Sequence, residues 1–399
     1  MTVKAKHNKD HPTGYKPPMT PDHPPRPTWT ETDLDALAFN LHSIRRFVGE
    51  GIPIMAIVKA DAYGHGAVEC AMRLEREGAE WFGVALPEEG EELRDAGIVK
   101  PILCFGNWAG QEDMMIRLRL TPVVFQLERL AVFDRAAAES GNKIKVHVKI
   151  DTGMGRIGVR ADDAAEFAAE LKRFAHIEVE GLMTHFASAD EVVSELTDLQ
   201  MRRFADAVSS FHEHGFRPPY LDLANSPGAI VHPASRGTMV RIGGLLYGLG
   251  GDVLPKGFAG PELQPVLSLH TQISFLKQVP LGTTIGYGAT FVTTRESLIA
   301  TLPIGYHDGY PRSLSNKAKV LVNGAFAPVV GRVSMDWITI DVTDIPDVKV
   351  GDQVTLIGSQ GDSSITAENL AASTDTISYE ITCGINNRVR REYKSTKEN

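Results

Sequence analysis

Cysteine is scarce in this chain. Among 399 residues there are three, Cys70, Cys104 and Cys383, too few and too far apart for a disulfide framework or a zinc cluster. That usage fits a reducing compartment. Absent as well is any stretch of about 18 uninterrupted apolar residues, the length that spans a bilayer. Positive charge is not in excess either. Lys and Arg number 41 against 50 Asp and Glu, a formal net charge of -9, so there is no basic stripe of the kind that binds nucleic acid. Residues 1–27 are rich in Pro, Lys and His but carry no apolar run, which argues against a secretory signal. They read as a disordered tail in preference to a metal-binding histidine arm. These absences lead to the expectation of a cytoplasmic protein that acts on small molecules, with no metal, membrane or nucleic-acid partner.

What is present is the composition of an ordinary globular protein, 43% hydrophobic and 23% charged. The length exceeds what one hydrophobic core usually serves, so two domains are expected. Eight short apolar runs recur with helical spacing between them. They are IPIMAIV (52–58), WFGVAL (81–86), PILCFG (101–106), TPVVF (121–125), KIKVHVKI (143–150), IEVEGLMTHF (177–186), YLDLAN (220–225) and TMVRIGGLLYGL (238–249). Continuously apolar strands alternating with helices predict a parallel sheet covered on both faces. Eight of them suit a closed (β/α)8 barrel, here over 28–264. From 265 to 399 the apolar residues alternate with a period near two, interrupted by turn signals such as Asn323-Gly324. This half reads as a mostly antiparallel β domain. Within it only ITAENLAAS (365–373) reads as helix, with Thr366 as its N-cap.

The first of the eight runs ends on a lysine, in IMAIVKADAYGHG from Ile54 to Gly66. Burying an ammonium costs hydration free energy. A strand-end lysine must therefore snorkel, be paired, or serve as a desolvated amine that condenses with a carbonyl. In a (β/α)8 barrel the active site lies at the C-terminal ends of the strands. Those ends carry Lys59, Lys149 to Arg156, His185, Asn225-Ser226 and Arg241 to Gly244. Their convergence on one mouth is a stronger signal than any single motif.

Nine blocks then occur in order: VKADAYGHG, VKIDTGMGRIG, THFASADE, ANS, MVRIGGLLYGL, GYGATF, GYHDGYPR, GRVSMD and TISYEI. Their order and content resemble the alanine racemases, bacterial enzymes that use pyridoxal 5'-phosphate, over nearly the whole chain from about Thr28. The resemblance implies interconversion of L- and D-alanine to supply D-alanine for peptidoglycan. It also implies a homodimer with active sites completed in trans. On this resemblance Lys59 looks like the residue that holds the cofactor as an internal aldimine and later acts as a base. Tyr63, Asn225, Ser226, Gly243, Gly244 and Tyr379 match the phosphate site. Hydroxyls and helix N-terminal amides converge partial positive charge on a phosphate, and glycine lets backbone N–H groups approach it. Arg241 matches the arginine that hydrogen-bonds the pyridine nitrogen. A guanidinium stays charged and does not hand that nitrogen a proton, so the ring is a weaker electron sink. That restraint discourages transamination.

Racemisation needs a proton removed from one face of Cα and another delivered to the opposite face. Tyr287, in IGYGATF, matches the second base. An unperturbed tyrosine is ionised in only about one molecule in a thousand at neutral pH, so a nearby cation must stabilise its phenolate. His185 matches a histidine bonded toward Arg241, which would link that guanidinium to Tyr287. Met335, Asp336 and Tyr306 match residues that, like Tyr287, reach the substrate from the partner subunit. Arg156 looks like a ligand for the substrate carboxylate or the cofactor phenolate, for which a planar fork is suited. Lys149 matches a lysine that is carbamylated in some members. Three positions depart from the pattern. Ser334 stands where a cysteine is frequent, Gly244 where a bulkier apolar residue is common, and His307 in place of a small residue. The alternative of a serine or broad-specificity amino-acid racemase therefore stays open. A decarboxylase on this architecture would be expected to lack GYGATF and to carry an acid in place of Arg241. A cofactor-binding regulatory barrel would have no β half.

Overall fold

The structure is a computed structural model that describes residues 26–396. Of the segment 1–27 read as a tail, only Arg26 and Pro27 fall among the described residues. Arg26 is held, donating to the Asp308 carboxylate at 2.8 Å and to the Arg388 carbonyl at 3.3 Å. The chain gathers into two compact units. Of the described residues, the larger takes 31–268, 366–383 and 393–396; the other takes 26–30, 269–365 and 384–392.

The larger unit is a (β/α)8 barrel. Its strands are β1 (Ile54–Ile57), β2 (Trp81–Val84), β3 (Ile102–Cys104), β4 (Leu120–Val124), β5 (Ile144–Asp151), β6 (Ile177–Met183), β7 (Tyr220–Asp222) and β8 (Val240–Ile242). Every residue of β1 to β4 is buried, as parallel strands covered on both faces require. Parallel ladders run from β1 through β7, and β8 pairs back on β1 with Val240 beside Ile54. Between β7 and β8 the backbone continues the circuit through Thr238 N–H to Leu221 O at 3.0 Å and Arg241 N–H to Ala224 O at 3.0 Å. Met55, Ile57, Trp81, Leu103, Val123, Met183 and Met239 pack together as a core cluster of this unit.

Several of the apolar runs outlast their strands. In 238–249 the strand stops at Ile242, and Gly244–Tyr247 forms a 3-10 turn after the glycine pair. Strand β6 likewise stops at Met183. Hydrophobicity persists past both ends because the adjoining turns are themselves buried. A second correction concerns helices after 265. Ala367–Thr374 is helical, with the Thr366 side chain accepting from Asn369 N–H, but Ser378–Cys383 is helical too. That short helix depends on a distant anchor: Asp252 accepts from the Ser378 backbone N–H at 2.5 Å and its hydroxyl at 2.9 Å. Both helices group with the barrel.

The second unit is built on antiparallel pairing. Lys319–Val322 and Ala325–Pro328 form a hairpin through Asn323 (φ 50°) and Gly324 (φ 80°), the two left-handed positions a tight hairpin turn needs. Gln353–Gln360 pairs with Lys319–Val322 on one side and with Leu269 to Gln272 on the other. A three-stranded sheet joins Phe275–Val279, Ser297–Leu302 and Ile338–Asp341. Val279, Ile285, Ile299 and Val330 form a core of their own. Among the described residues no helix is long and apolar enough to cross a membrane.

Candidate active site

The barrel unit contains a cavity of about 640 Å³ at the C-terminal ends of its strands, a size that suits a small molecule. Lys59, Tyr63, Lys149, Arg156, His185, Asn225, Ser226, Arg241, Gly243, Gly244 and Tyr379 all line it. The four other residues singled out in the sequence belong to the second unit. Tyr287 is 73% exposed there, and Tyr306 and Met335 are exposed as well. Tyr306 N–H donates to Ser334 O at 2.9 Å and His307 N–H to Met335 O at 3.1 Å, which brings those loops side by side. Asp336 accepts from Arg388 at 2.8 Å.

Lys59 comes directly after β1 and opens an unusual turn. Ala60, Asp61, Ala62 and Tyr63 all have φ near 53–55° with positive ψ, a left-handed helical turn made of non-glycine residues. Each such residue costs about 1–2 kcal/mol, so the turn must be held from outside. Glu89 accepts from Ala60 N–H at 2.7 Å, and its other oxygen accepts from Ala85 and Leu86 N–H at 2.7 and 3.1 Å. The Asp61 side chain accepts from Ala67 N–H at 2.8 Å. Burial, and next the Arg156 charge, push the Lys59 amine below the ordinary lysine range. Lys59 is therefore a more available nucleophile than a surface lysine.

The turn delivers the Tyr63 ring next to Tyr379, centroids 5.1 Å apart and edge-on, and to Tyr247 at 5.3 Å. Desolvation raises both the Tyr63 and Tyr379 phenols above their ordinary range, so both remain protonated donors. Ser226 Oγ accepts from Gly243 N–H at 2.8 Å, and Asn225 Oδ1 caps the next turn by accepting from Gly228 N–H at 3.0 Å.

Arg241, in β8, is 3% exposed. Its Nη2 donates to the carbonyls of Thr184 at 2.9 Å and Leu223 at 3.2 Å and to His185 Nδ1 at 3.2 Å. A guanidinium has no acceptor, so Nδ1 accepts and the neutral imidazole carries its proton on Nε2. Burial and the Arg241 charge hold His185 far below its ordinary pKa, consistent with that neutral form. Arg241 Nη1 meets Asp222, whose carboxylate is completely buried. Burial raises the Asp222 carboxyl to about 6 against the opposing pull of Arg241 and Lys149. Burial, Arg241 and Arg156 push the Lys149 amine down to about 7.

Two residues that build the site escaped the sequence reading. Asp222 carried a usable signal, an acid inside the apolar run YLDLAN. Glu89, one of several glutamates in PEEGEELRD, carried none.

The sequence profile of the alanine racemase N-terminal domain matches residues 32–250, and that of the alanine racemase C-terminal domain matches 266–393. A curated relative from Halothermothrix orenii, an alanine racemase, is 47% identical over 373 residues, covering 93% of this chain and 97% of the relative. Among solved structures, alanine racemase from Clostridium difficile 630 superposes with a TM-score of 0.88 at 40% identity, covering 93% of this chain and 97% of the other. Alanine racemase from Bartonella henselae, solved with covalently bound pyridoxal phosphate, has a TM-score of 0.83 at 28% identity, covering 93% and 100%. With both halves matched and close relatives aligned over nine-tenths of its length, the chain belongs to the alanine racemase family of isomerases.

Proposed function

We propose that the cavity binds pyridoxal 5'-phosphate and that the protein interconverts L- and D-alanine with two bases, one on each face of the substrate Cα. The observation that carries this reading is the lining of one cavity by groups from separate strand ends, with a desolvated amine among them. Their chemistry fits a phosphate-bearing aldehyde. There is an amine to carry it, two protonated phenols and a serine hydroxyl. Two glycines lie where any Cβ would collide with those phenols. A relative holds that group covalently. When bound, the cofactor makes the Cα proton of an amino acid acidic enough to be removed.

Lys59 would carry the cofactor and, once released by substrate, move a proton on its own face of Cα. Tyr63, Asn225, Ser226, Tyr379 and the Gly243-Gly244 backbone would hold the phosphate. Arg241 would donate to the ring nitrogen without protonating it, since a guanidinium keeps its own proton at neutral pH. Arg156 would orient the substrate carboxylate or the phenolate. Lys149, half deprotonated near neutrality, has the amine form that adds carbon dioxide, and a carbamate there would orient Arg156.

Tyr287 would serve the opposite face from the partner subunit of a homodimer. Its high exposure, shared by Tyr306 and Met335, is what a group serving another molecule needs, and His185 would aim its Nε2–H at that phenol. Tyr306, Met335 and Asp336 would shape the substrate entrance from the same partner. The D-alanine would be made in the cytoplasm and feed peptidoglycan synthesis.

Circular dichroism on purified protein supplied with pyridoxal phosphate tests this reading against a panel of L-amino acids. Optical activity of L-alanine should decay fastest. Fastest decay with L-serine would move the reading to a serine racemase, and no decay with any amino acid would overturn it.

A further inference from the structure

Asp222 ends β7 with its carboxylate directly behind Arg241, and it is fully buried. One oxygen accepts from Arg241 Nη1; the other, Oδ2, is buried with no hydrogen-bond partner among the described residues. A carboxylate in that state is expensive to maintain unless a cation repays its desolvation. Strand register supplies a second group that carries positive charge when protonated. Lys149 of β5, Met183 of β6 and Asp222 of β7 form one row across the barrel. Lys149 thus stands two strands away, roughly 10 Å between Cα atoms at about 4.8 Å per strand.

The charges that act on this carboxylate are Arg241 of β8 and Lys149 of β5. Around that pair stand Asp151 and the buried, neutral His147 of β5, Arg156 beyond it, His185 after β6 and Lys59 after β1. Asp151 is already engaged, accepting from Gly153 and Gly155 N–H at 3.0 and 3.1 Å. His185 is neutral. Asp222 is left as the buried anion among lysines and arginines.

We propose that Asp222 is a positioning residue for the reaction: it fixes the plane of Arg241 and cancels its charge, so that the amines of Lys59 and Lys149 work in a weaker positive field than the bare cations would impose. This rests on the reading of Lys59 as a base and of Arg241 as the ring-nitrogen partner. Nη1 and Nη2 of Arg241 are both committed to the wall of the barrel, through Asp222 on one and the Thr184 and Leu223 carbonyls on the other. Such a guanidinium cannot swing, and its orientation toward the cavity is set before anything binds. The field effect has a definite sign. Removing a negative charge lowers the pKa of a nearby amine, by about one pH unit for a charge some 10 Å away at an effective dielectric constant of 20.

Asp222→Asn keeps the shape and an oxygen acceptor for Arg241 while deleting the charge. The reactivity of Lys149 in the full-length protein, in buffers free of carbon dioxide and with and without pyridoxal phosphate, would be tracked against pH by trace acetylation and peptide mass spectrometry. The midpoint for Lys149 should fall by about one pH unit, and the acid limb of kcat/KM should move the same way. Asp222→Glu, which restores the charge, should restore both. Unmoved midpoints in a folded Asp222→Asn protein would overturn the proposal, because a merely structural aspartate would leave them alone. Should that variant not fold, infrared titration of the wild-type protein still decides: a buried carboxylic acid band at Asp222 that persists well above neutral pH would overturn it. Failure of the cofactor reading looks different. The wild-type protein would then stay colourless with pyridoxal phosphate, while the Lys149 titration without cofactor would still report on Asp222.

Discussion

A Cβ on Gly244 would lie 2.1 Å from Cε1 of Tyr379 and 2.3 Å from its hydroxyl oxygen, so the tyrosine ring fills the space a side chain at 244 would need. Gly243 stands in the same relation to Tyr63, whose hydroxyl would lie 2.4 Å from a Cβ there. At 244, where a bulkier apolar residue is common in the family pattern, this chain has a glycine, and the ring of Tyr379 packs directly against it. Gly244→Ala must displace that ring from the cavity wall. One hydrogen bond to a charged phosphate is worth about 1.5–3 kcal/mol, so affinity for pyridoxal phosphate should fall about 10- to 100-fold. Fluorescence titration of cofactor-free protein measures it. Gly244→Ala combined with Tyr379→Ala should be no weaker than Tyr379→Ala alone; unchanged affinity in the single variant would remove Tyr379 from the phosphate site.

Borohydride reduction of the yellow protein should bleach its visible band and fix the cofactor on one peptide, the one containing Lys59. The half-buried amine depressed by burial and Arg156 is the nucleophile expected to react. Peptide mass spectrometry identifies the site, and a label on any other lysine would refute the assignment.

Tyr287→Phe should lose L-to-D turnover while the cofactor stays bound and coloured, because the phenol lies on a different unit from the cavity. Loss of one positioned acid/base group costs about 10²–10⁴-fold in rate. Exchange of the D-alanine Cα proton with solvent deuterium should survive, since Lys59 removes and returns it on one face. Exchange from L-alanine should nearly vanish. Equal exchange of both enantiomers, read by mass spectrometry, would sink the two-base reading.

Mixing Lys59→Ala with Tyr287→Phe, each inactive alone, should restore part of the activity if sites are completed in trans, since a mixed dimer carries one intact site. No recovery after proven subunit exchange would argue for completion within one chain.

Lys149 ties stability to pH. Its amine titrates at about 7 in the folded protein against an ordinary value of 10.5. Between those values the unfolded chain binds a proton that the folded one does not. The contribution of Lys149 is therefore fully present above the ordinary value and is lost as pH falls toward 7, at up to about 1.4 kcal/mol per pH unit. In buffers free of carbon dioxide, the urea-unfolding free energy of wild type minus that of Lys149→Met should rise across that window. A flat difference would mean that the lysine stays an ammonium when folded.

The eight barrel strands and the hairpin at Asn323-Gly324 were legible in the sequence because their signals are local. A strand covered on both faces must be apolar throughout, as Ile54–Ile57 and Trp81–Val84 are, and a tight hairpin needs residues that accept positive φ. The lining of the cavity was legible for a related reason: in a barrel, chain order alone puts every strand end on one mouth. The conformations just beyond those ends were decided by partners far along the chain. The turn at Ala60 to Tyr63 is left-handed against the preference of each of its residues, held in part by Glu89. Ser378–Cys383, too short to show a period, is anchored by Asp252. Asp222 has meaning only opposite Arg241, 19 positions away and one strand over. Sequence periodicity reports which face of an element is buried, whereas strain and charge are set by what the fold brings against it, and only the tertiary structure supplies that.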